Sequence, residues 1–514
     1  MFLKQENKIW VAKSGVPVYM YPKMSTRHGL IAGATGTGKT ITSKVLAEAF
    51  SDMGVPVFMA DIKGDVSGLG MQGEINEKIA SRIEKLGVTG FTTAAYPVRF
   101  FDVYGKKGIP ARATISEMGP DLLARLLELN DVQSGVLSIV FRVADDKGLL
   151  LLDLKDLRAM VQYVGDHADE YTTRYGNIAS QSIGAVQRSL LRLEDQGGEI
   201  FFGEPALNVM DWISLDSMGR GYINILHCVE LFQAPLLYST FMLWMLSEIY
   251  ENLPEVGDLD KPKMVFFFDE AHLIFNDAPK ALIQKIEQVV KLVRSKGVGI
   301  YFITQVPSDI PDSVLSQLGN KVQHALRAYT PNELKAVKAA AQAFRENPAI
   351  DTETVLGELG TGEGLVSFLG EDGIPGIVER AMILPPQSMI GAMDDQTRVY
   401  MNSTSDLNAK YYKEVDRESA YELLFAAVGS REAAPAPEQQ RTMTQEEIDA
   451  RIEAKAKELA KEYADEKEEK TRTKSKKTYS NKSTIERTID SALTTVGREF
   501  GRQLIRGLLG NLRR

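Results

Sequence analysis

The chain has a single cysteine, Cys228, in 514 residues. One thiol can form neither an intrachain disulfide nor a cysteine-built zinc site, and nothing points to an oxidising compartment, so a cytoplasmic protein is expected. Positive charge is not in excess: the formal net charge is -9. That argues against a uniformly basic coat for nucleic acid, while leaving room for a local basic channel. No base-reading motif stands out, and no basic stretch is interleaved with aromatics. Long apolar runs are missing too. The longest, over residues 231–250, is broken by Gln233, Ser239 and Glu248 and reads as a buried helix. No cleavable signal opens the chain, and integral membrane association is not expected. With 44% hydrophobic and 25% charged residues, a chain of this length can bury a full core and divide into two to four units.

Against these absences stands residues 29–40, GLIAGATGTGKT. The stretch satisfies G-x-x-x-x-G-K-[ST] at Gly33, Gly38, Lys39 and Thr40, with Thr35, Gly36 and Thr37 inside the loop. Glycines let backbone N–H groups curl round a phosphate chain, while the lysine supplies charge to the β/γ-phosphates and the threonine a hydroxyl to Mg²⁺. The preceding Leu30, Ile31 and Ala32 read as a buried strand, and residues 41–50 as a helix whose amino end favours an anion. ATP and Mg²⁺ are therefore the expected ligands. A second apolar run, residues 55–61, ends at Asp61 and is followed by Lys63, Gly64 and Asp65. Ligand sites cluster at the carboxyl ends of such strands, so Asp61 and Asp65 are candidates, with helix capping or turn formation as the alternative.

Residues 264–272, MVFFFDEAH, form the second landmark. A buried strand ending in Asp269 and Glu270 supplies what a phosphate-loop ATPase needs: one carboxylate to help hold Mg²⁺ and one to orient the attacking water. Residues 298–304 are a further buried strand ending in Gln305, whose amide can hydrogen-bond the γ-phosphate or its water. Arg294 stands at the end of a helix over residues 278–295, and Arg327 on a strand expected over residues 321–328. Either arginine can reach a nucleotide, its own or a neighbour's; for Arg294 the alternative is a cation complementing a helix dipole.

The succession GATGTGKT, ADIKGD, FFFDEAH and VRSKGVGIYFITQVPSDIPDSVLSQLGNKVQHALRAYTP resembles the bacterial HerA-like NTPases of the FtsK–HerA superfamily over roughly residues 15–400. The resemblance implies an α/β fold with a RecA-like P-loop core and a mainly parallel sheet, ATP hydrolysis, a homo-hexameric ring, the strand-end Gln305, and an arginine near Arg294 or Arg327 acting across a subunit boundary. HerA itself carries a small β-barrel ahead of the motor, which the first 28 residues here are too short to hold.

Helical periodicity dominates residues 116–200, which read as an insertion between the first part of the core, 29–115, and the second, 201–400. Residues 1–28 supply one or two short strands, and 401–432 a helical extension. An Ala–Pro linker opens residues 433–482, which include a charged helix and a basic break. Residues 483–514 form an amphipathic helix with Arg487, Arg498, Arg502 and Arg506 off its apolar stripe, suited to docking on protein, to a membrane surface or to nucleic acid. The expected function is ATP-driven translocation on DNA by a ring; the alternatives are an ATPase that remodels or moves a protein partner, and a slow nucleotide-dependent switch or scaffold.

Overall fold

Strands that are apolar on both sides need a sheet covered on both faces, and the computed structural model has one. It describes residues 1–275 and 280–429; the expectations for 433–482 and 483–514 lie outside the described residues. The strands are β1 (Phe2–Leu3), β2 (Lys8–Ser14), β3 (Val16–Met20), β4 (Gly29–Ala32), β5 (Val57–Asp61), β6 (Val98–Asp102), β7 (Ile109–Pro110), β8 (Ile223–His227), β9 (Met264–Phe268), β10 (Val298–Thr304), β11 (Asn320–Gln323), β12 (Glu363–Ser367) and β13 (Glu379–Ile383). They form one sheet in the order β1-β2-β13-β12-β11-β4-β10-β9-β5-β8-β6-β7, with β3 paired to β2. From β11 to β7 every pairing is parallel. Beyond β11 the remaining strands pair antiparallel.

Alternation along the central strands assigns side chains to the two faces. On β9, Val265 and Phe267 face helix α1 (Lys39–Asp52), packing with its Leu46, Ala47 and Phe50. Phe266 and Phe268 face the other way, into a larger core shared with helix Pro235–Asn252 and the helices of the 116–200 region. Those helices begin where the sequence supplies caps: Thr114 with Glu117, Asn130 with Gln133, and Asp153 with Asp156 each make a reciprocal capping box. Leu123, Leu137, Leu154 and Val186 from them join the same core as Phe302 of β10, so the insertion forms the cover of one sheet face.

Two readings change. The strand expected over 321–328 stops at Gln323, because the following residues turn in against the phosphate loop. The first 28 residues supply three strands, and β2 pairs with β13, with Met382 opposite Lys13, which attaches them to the main sheet. Among the described residues no helix is long and apolar enough to cross a membrane; Pro235–Asn252 is buried through most of its length.

Phe58 of β5 stacks on Trp212 at 4.7 Å between centroids and meets Phe266 at 5.4 Å. Phe58→Ala should cost about 3–5 kcal/mol, the usual range for a fully buried phenylalanine, seen as a lower urea midpoint. An unchanged midpoint would show that this layer of the core is not where stability resides.

Candidate nucleotide site

The glycine-rich loop is fixed by its two flanking strands. Parallel register sets Ala32, the last residue of β4, beside Thr304 of β10 and Gln323 of β11. The Gly33 N–H then donates to the carbonyls of Thr304 at 3.2 Å and Gln305 at 3.1 Å, and the Ala34 N–H to that of Ala325 at 2.9 Å. Gly36 and Gly38 have φ of 77° and 120°, where a side chain is strained. Gly33 has a further reason to lack a side chain: a Cβ there would lie 2.5 Å from that of His324. On the outer side the Gly362 N–H donates to the Thr37 carbonyl at 2.9 Å, and Thr37 Oγ1 donates to Ala34 at 2.7 Å. Thr35 and Gly36 are the exposed tip. Lys39 and Thr40 open α1, with Lys39 Nζ donating to the carbonyls of Gly33 at 2.6 Å and Ala34 at 3.2 Å.

Carboxylates from the neighbouring strand ends converge on this loop. Thr40 Oγ1 donates to Asp65 Oδ2 at 3.3 Å. Asp269 and Glu270 leave β9 together, and Glu270 takes a left-handed φ of 46° that few non-glycine residues adopt. Its carboxylate forms an ion pair with Lys63 and lies 3.2 Å from His272 Nδ1 without the alignment of a hydrogen bond. Burial pushes the Asp61 carboxyl up to about 7, with Asp65 adding to the shift. Burial likewise takes Asp269 to about 6, with Lys63 opposing and Glu270 reinforcing. Glu270 is different. Burial would raise it, but Lys63, Lys39 and His272 outweigh that and hold it below the ordinary carboxylate value. Lys39 itself is lowered, first by burial and then by Lys63.

Two buried oxygens, Asp61 Oδ2 and Asp65 Oδ1, have no hydrogen-bond partner. Among the described residues no group of three or more His, Cys, Asp or Glu makes a protein-only metal cage. That donor set fits Mg²⁺, which takes one or two carboxylates and completes its shell with phosphates and water. Thr40, Asp65 and Asp269 would hold it, and it would neutralise charge on the phosphates.

Gln305 is exposed immediately after β10, and its own carbonyl takes the Gly33 N–H, which sets it against the loop. Arg294 is elsewhere. It sits in the turn Val293–Lys296 that enters β10, at the opposite edge of the sheet, paired with Asp258 at 3.1 Å. A seven-residue strand puts about 23 Å between that edge and its own loop. The strand expected to carry Arg327 ends before it: Arg327 lies past the end of β11, and its guanidinium donates to the carbonyls of Gly357 and Leu359, closing the carboxyl end of helix Thr352–Glu358.

Lys63 and His324 join the site without having been singled out as candidates. Lys63 stood between Asp61 and Asp65 in the sequence, where attention to carboxylates passed over the cation between them. His324 is fully buried, its Nε2 2.8 Å from Thr42 Oγ1 and its Nδ1 2.8 Å from the Glu363 carbonyl. Burial takes it down to about 4, so it is neutral and braces α1 against the loop. A lone histidine at the end of an apolar run carried no signal of that role.

The profile of the family described as Helicase HerA-like C-terminal matches residues 6–514. The chain belongs to the HerA-like family of the FtsK–HerA P-loop NTPases. The DNA double-strand break repair helicase HerA of Sulfurisphaera tokodaii is 22% identical over 368 residues, covering 69% of this chain and 64% of that protein. A probable helicase of Methanocaldococcus jannaschii is 22% identical over 349 residues, 67% of this chain and 60% of the relative. The chain thus spans somewhat less than two thirds of the length of these relatives. Among solved structures, the unbound bacterial conjugative coupling protein TrwB lacking its first 70 residues superposes with a TM-score of 0.52 at 13% identity, covering 76% of this chain and 94% of that one. TrwB in complex with ADP and Mg²⁺ gives 0.51 at 14% identity, covering 76% and 95%. The expectations of family and of a RecA-like core are borne out.

Lys39→Ala should abolish tight ATP binding, since the loop loses its one cation. Direct titration of the variant with unchanged affinity would refute the assignment of the loop to phosphate.

Proposed function

We propose that this chain is the subunit of a ring-forming motor that hydrolyses ATP and couples hydrolysis to movement along DNA. One observation carries the hydrolytic part: Asp269 and Glu270 at the end of β9 and Gln305 at the end of β10 meet the loop of Lys39 and Thr40 along one edge of a parallel sheet. Such an edge can bind a triphosphate, hold its cation and orient a water, which mere nucleotide binding does not require. The buried, ionised Glu270 is suited to polarise that water. Coupling to DNA rests on the family and on relatives named as helicases.

The ring follows from charge. Phosphoryl transfer spreads negative charge over the γ-phosphate oxygens, and an arginine placed there contributes ~10³ or more in rate. Arg327 is held by helix-end carbonyls, and Arg294 faces away from its own loop. Arg294 therefore acts, in this reading, on the nucleotide of an adjoining subunit, at the cost of its contact with Asp258.

The test of function is ATPase rate with and without duplex or single-stranded DNA; a purified protein whose rate responds to neither would remove DNA from the proposal. Glu270→Gln should keep ATP bound and slow turnover about 10² or more, the scale of a lost positioned base. Lys63→Met tests the ion pair. Glu270 works ionised, so activity is present above its pKa and lost as pH falls through it. Removing the cation that opposes burial raises that pKa, so the acid limb of the pH–rate profile should move to higher pH; an unmoved limb would mean another group controls it. Mixing Arg294→Ala with Glu270→Gln subunits should restore part of the activity, because some interfaces then pair an intact Glu270 with an intact Arg294. No recovery despite demonstrated subunit exchange would exclude action in trans.

A further inference from the structure

Past β11 the chain leaves the sheet and builds a small lobe, in which helices Pro331–Gln342 and Thr352–Glu358 close over Leu326, Val337, Phe344 and Leu356. Both ends of this lobe are bonded to the phosphate loop: the Ala34 N–H donates to the Ala325 carbonyl and the Gly362 N–H to that of Thr37, each at 2.9 Å. Helix Pro331–Gln342 opens with a capping box of Thr330 and Glu333. Tyr329 and Leu334 flank that box, at the two positions where apolar side chains ordinarily staple a helix entry by packing together. Here the staple covers little of either, for Tyr329 is 87% exposed and Leu334 57%. Lys338 is one turn on from Leu334, on the same face, with Lys335 beside it. Both lysines are exposed, and neither makes an ion pair among the described residues.

At the opposite edge of the sheet, where β5 and β9 begin, lies a groove of about 540 Å³. Met210, Ile213, Leu215, Leu253, Leu259 and Pro262 give it an apolar wall, with Leu215 52% exposed. One side of the groove also holds Arg294. Residues 259–263 line the groove, Asp258 pairs with Arg294 at 3.1 Å, and the Val256 and Gly257 N–H groups donate to the Ser295 carbonyl. Four exposed carboxylates, Glu251, Glu255, Asp258 and Asp260, crowd this stretch, and Glu251 and Asp260 make no ion pair among the described residues.

We infer that these two surfaces are the halves of one interface: Tyr329 and Leu334 of one copy of the chain seat in the groove of the next, with Lys335 and Lys338 against its acidic loop. The inference rests on the ring reading above and names the surfaces that close the ring. An exposed aromatic beside an apolar residue, rimmed by charge, is the usual anchor of a protein contact. The charges are complementary, which sets the orientation of the two copies. Because anchor and groove lie at opposite edges, each copy uses both, and the contact repeats head to tail. Seating also delivers chemistry. Tyr329 is four residues from Ala325, at most about 14 Å from the phosphate loop, and the groove shares its loop with Asp258. The neighbour's Arg294 therefore arrives beside the nucleotide, while the lysines of the lobe compete for the Asp258 that otherwise holds it. Residues 325–362 carry four Lys and Arg against five Asp and Glu, which favours a protein partner over a phosphate backbone.

The experiment uses the full chain with Mg²⁺ and ATP. Its one cysteine, Cys228, is buried, so introduced thiols report alone. Under a short bis-maleimide, a chain carrying both Leu215→Cys and Leu334→Cys should give a ladder of linked chains, and either single substitution none. Tyr329→Ala should raise the concentration needed for assembly about 30-fold, the scale of a lost interface anchor, while dilute chains bind ATP as the parent does. Reversing both lysines, Lys335→Glu with Lys338→Glu, should weaken assembly about ten-fold or more, and adding Glu251→Lys with Asp260→Lys should recover most of the loss. A parent that assembles while the double-cysteine chain gives no ladder, or while Tyr329→Ala and the charge reversal leave assembly unchanged, overturns this interface and leaves the ring standing. Unchanged assembly of Tyr329→Ala with weakened binding to DNA would assign the face to nucleic acid and overturn it equally. A parent that stays monomeric with ATP at every concentration overturns both the interface and the ring.

Discussion

Three backbone hydrogen bonds hold the site together: Gly33 N–H to Thr304 and Gln305, and Ala34 N–H to Ala325. They exist because β4 runs parallel between β10 and β11 in a register that ends all three strands at one level. In an antiparallel arrangement the loop would face the starts of its neighbours, and Gln305 and His324 would be at the far edge. Register in turn is held by burial, since slipping one residue would exchange Ile31 of one core for Leu30 of the other. The hydrophobic pattern thus fixes where a polar loop sits. Gly33 has no side chain because His324 occupies the space one would need.

Electrostatics then separates three acidic groups. Asp61 and Asp269 are both raised, chiefly by burial, and each is raised further by a neighbouring carboxylate. Glu270, in the same neighbourhood, is lowered: burial would raise it, but the direct ion pair with Lys63, which reaches it from the loop after β5, acts with Lys39 and His272 to outweigh that. Where several acids crowd a dry edge, the one in direct contact with a cation is the one held charged. Lys63 makes its ion pair with Glu270 and with neither aspartate. The same lysine lowers Lys39 through repulsion, so the two cations of the site are not independent.

Most of the sheet's centre was legible because its strands are continuous apolar runs ending in polar residues, and each of those ends (Asp61, Asp269, Gln305) lies at the edge that carries the glycine-rich loop. Legibility failed where tertiary contacts override pattern. Residues 324–328 were expected to continue β11, yet the backbone leaves the sheet there and His324 bridges Thr42 and Glu363. Arg327 was expected on that strand; its bonds to Gly357 and Leu359 come from a helix 30 residues away in sequence. The attachment of the amino-terminal strands was equally hidden, since β2 meets β13 across nearly the whole core sequence. Lys63 was visible as a residue but not as a partner, because only the left-handed turn at Glu270 brings that carboxylate round to it.

Helix α1 gives the site a rigid back. Its amino end carries Lys39 and Thr40; two turns on, Lys44 donates to the Met389 carbonyl, and Glu48 accepts from the backbone N–H groups of Gln387 and Ser388 and from the Ser388 hydroxyl. Lys44 and Glu48 are both buried, so breaking these contacts would leave charges uncompensated in the core. The segment they hold leads into helix Asp395–Thr404, whose buried Arg398 faces Asp61 and lies over the Phe100 ring at 4.4 Å. Asp61 is thereby within the field of a residue that α1 positions from behind, and α1 also carries the loop lysine in front. The contacts of Lys44 and Glu48 hold the middle of α1. More freedom remains in the parts that are exposed or half-exposed: the tip at Thr35 and Gly36, the strand-end Gln305, and Lys63 on its loop. Those groups lie on the carboxyl edge. The glycine-rich loop and the carboxylates thus share one edge of the sheet, and Arg294, paired with Asp258, lies at the other.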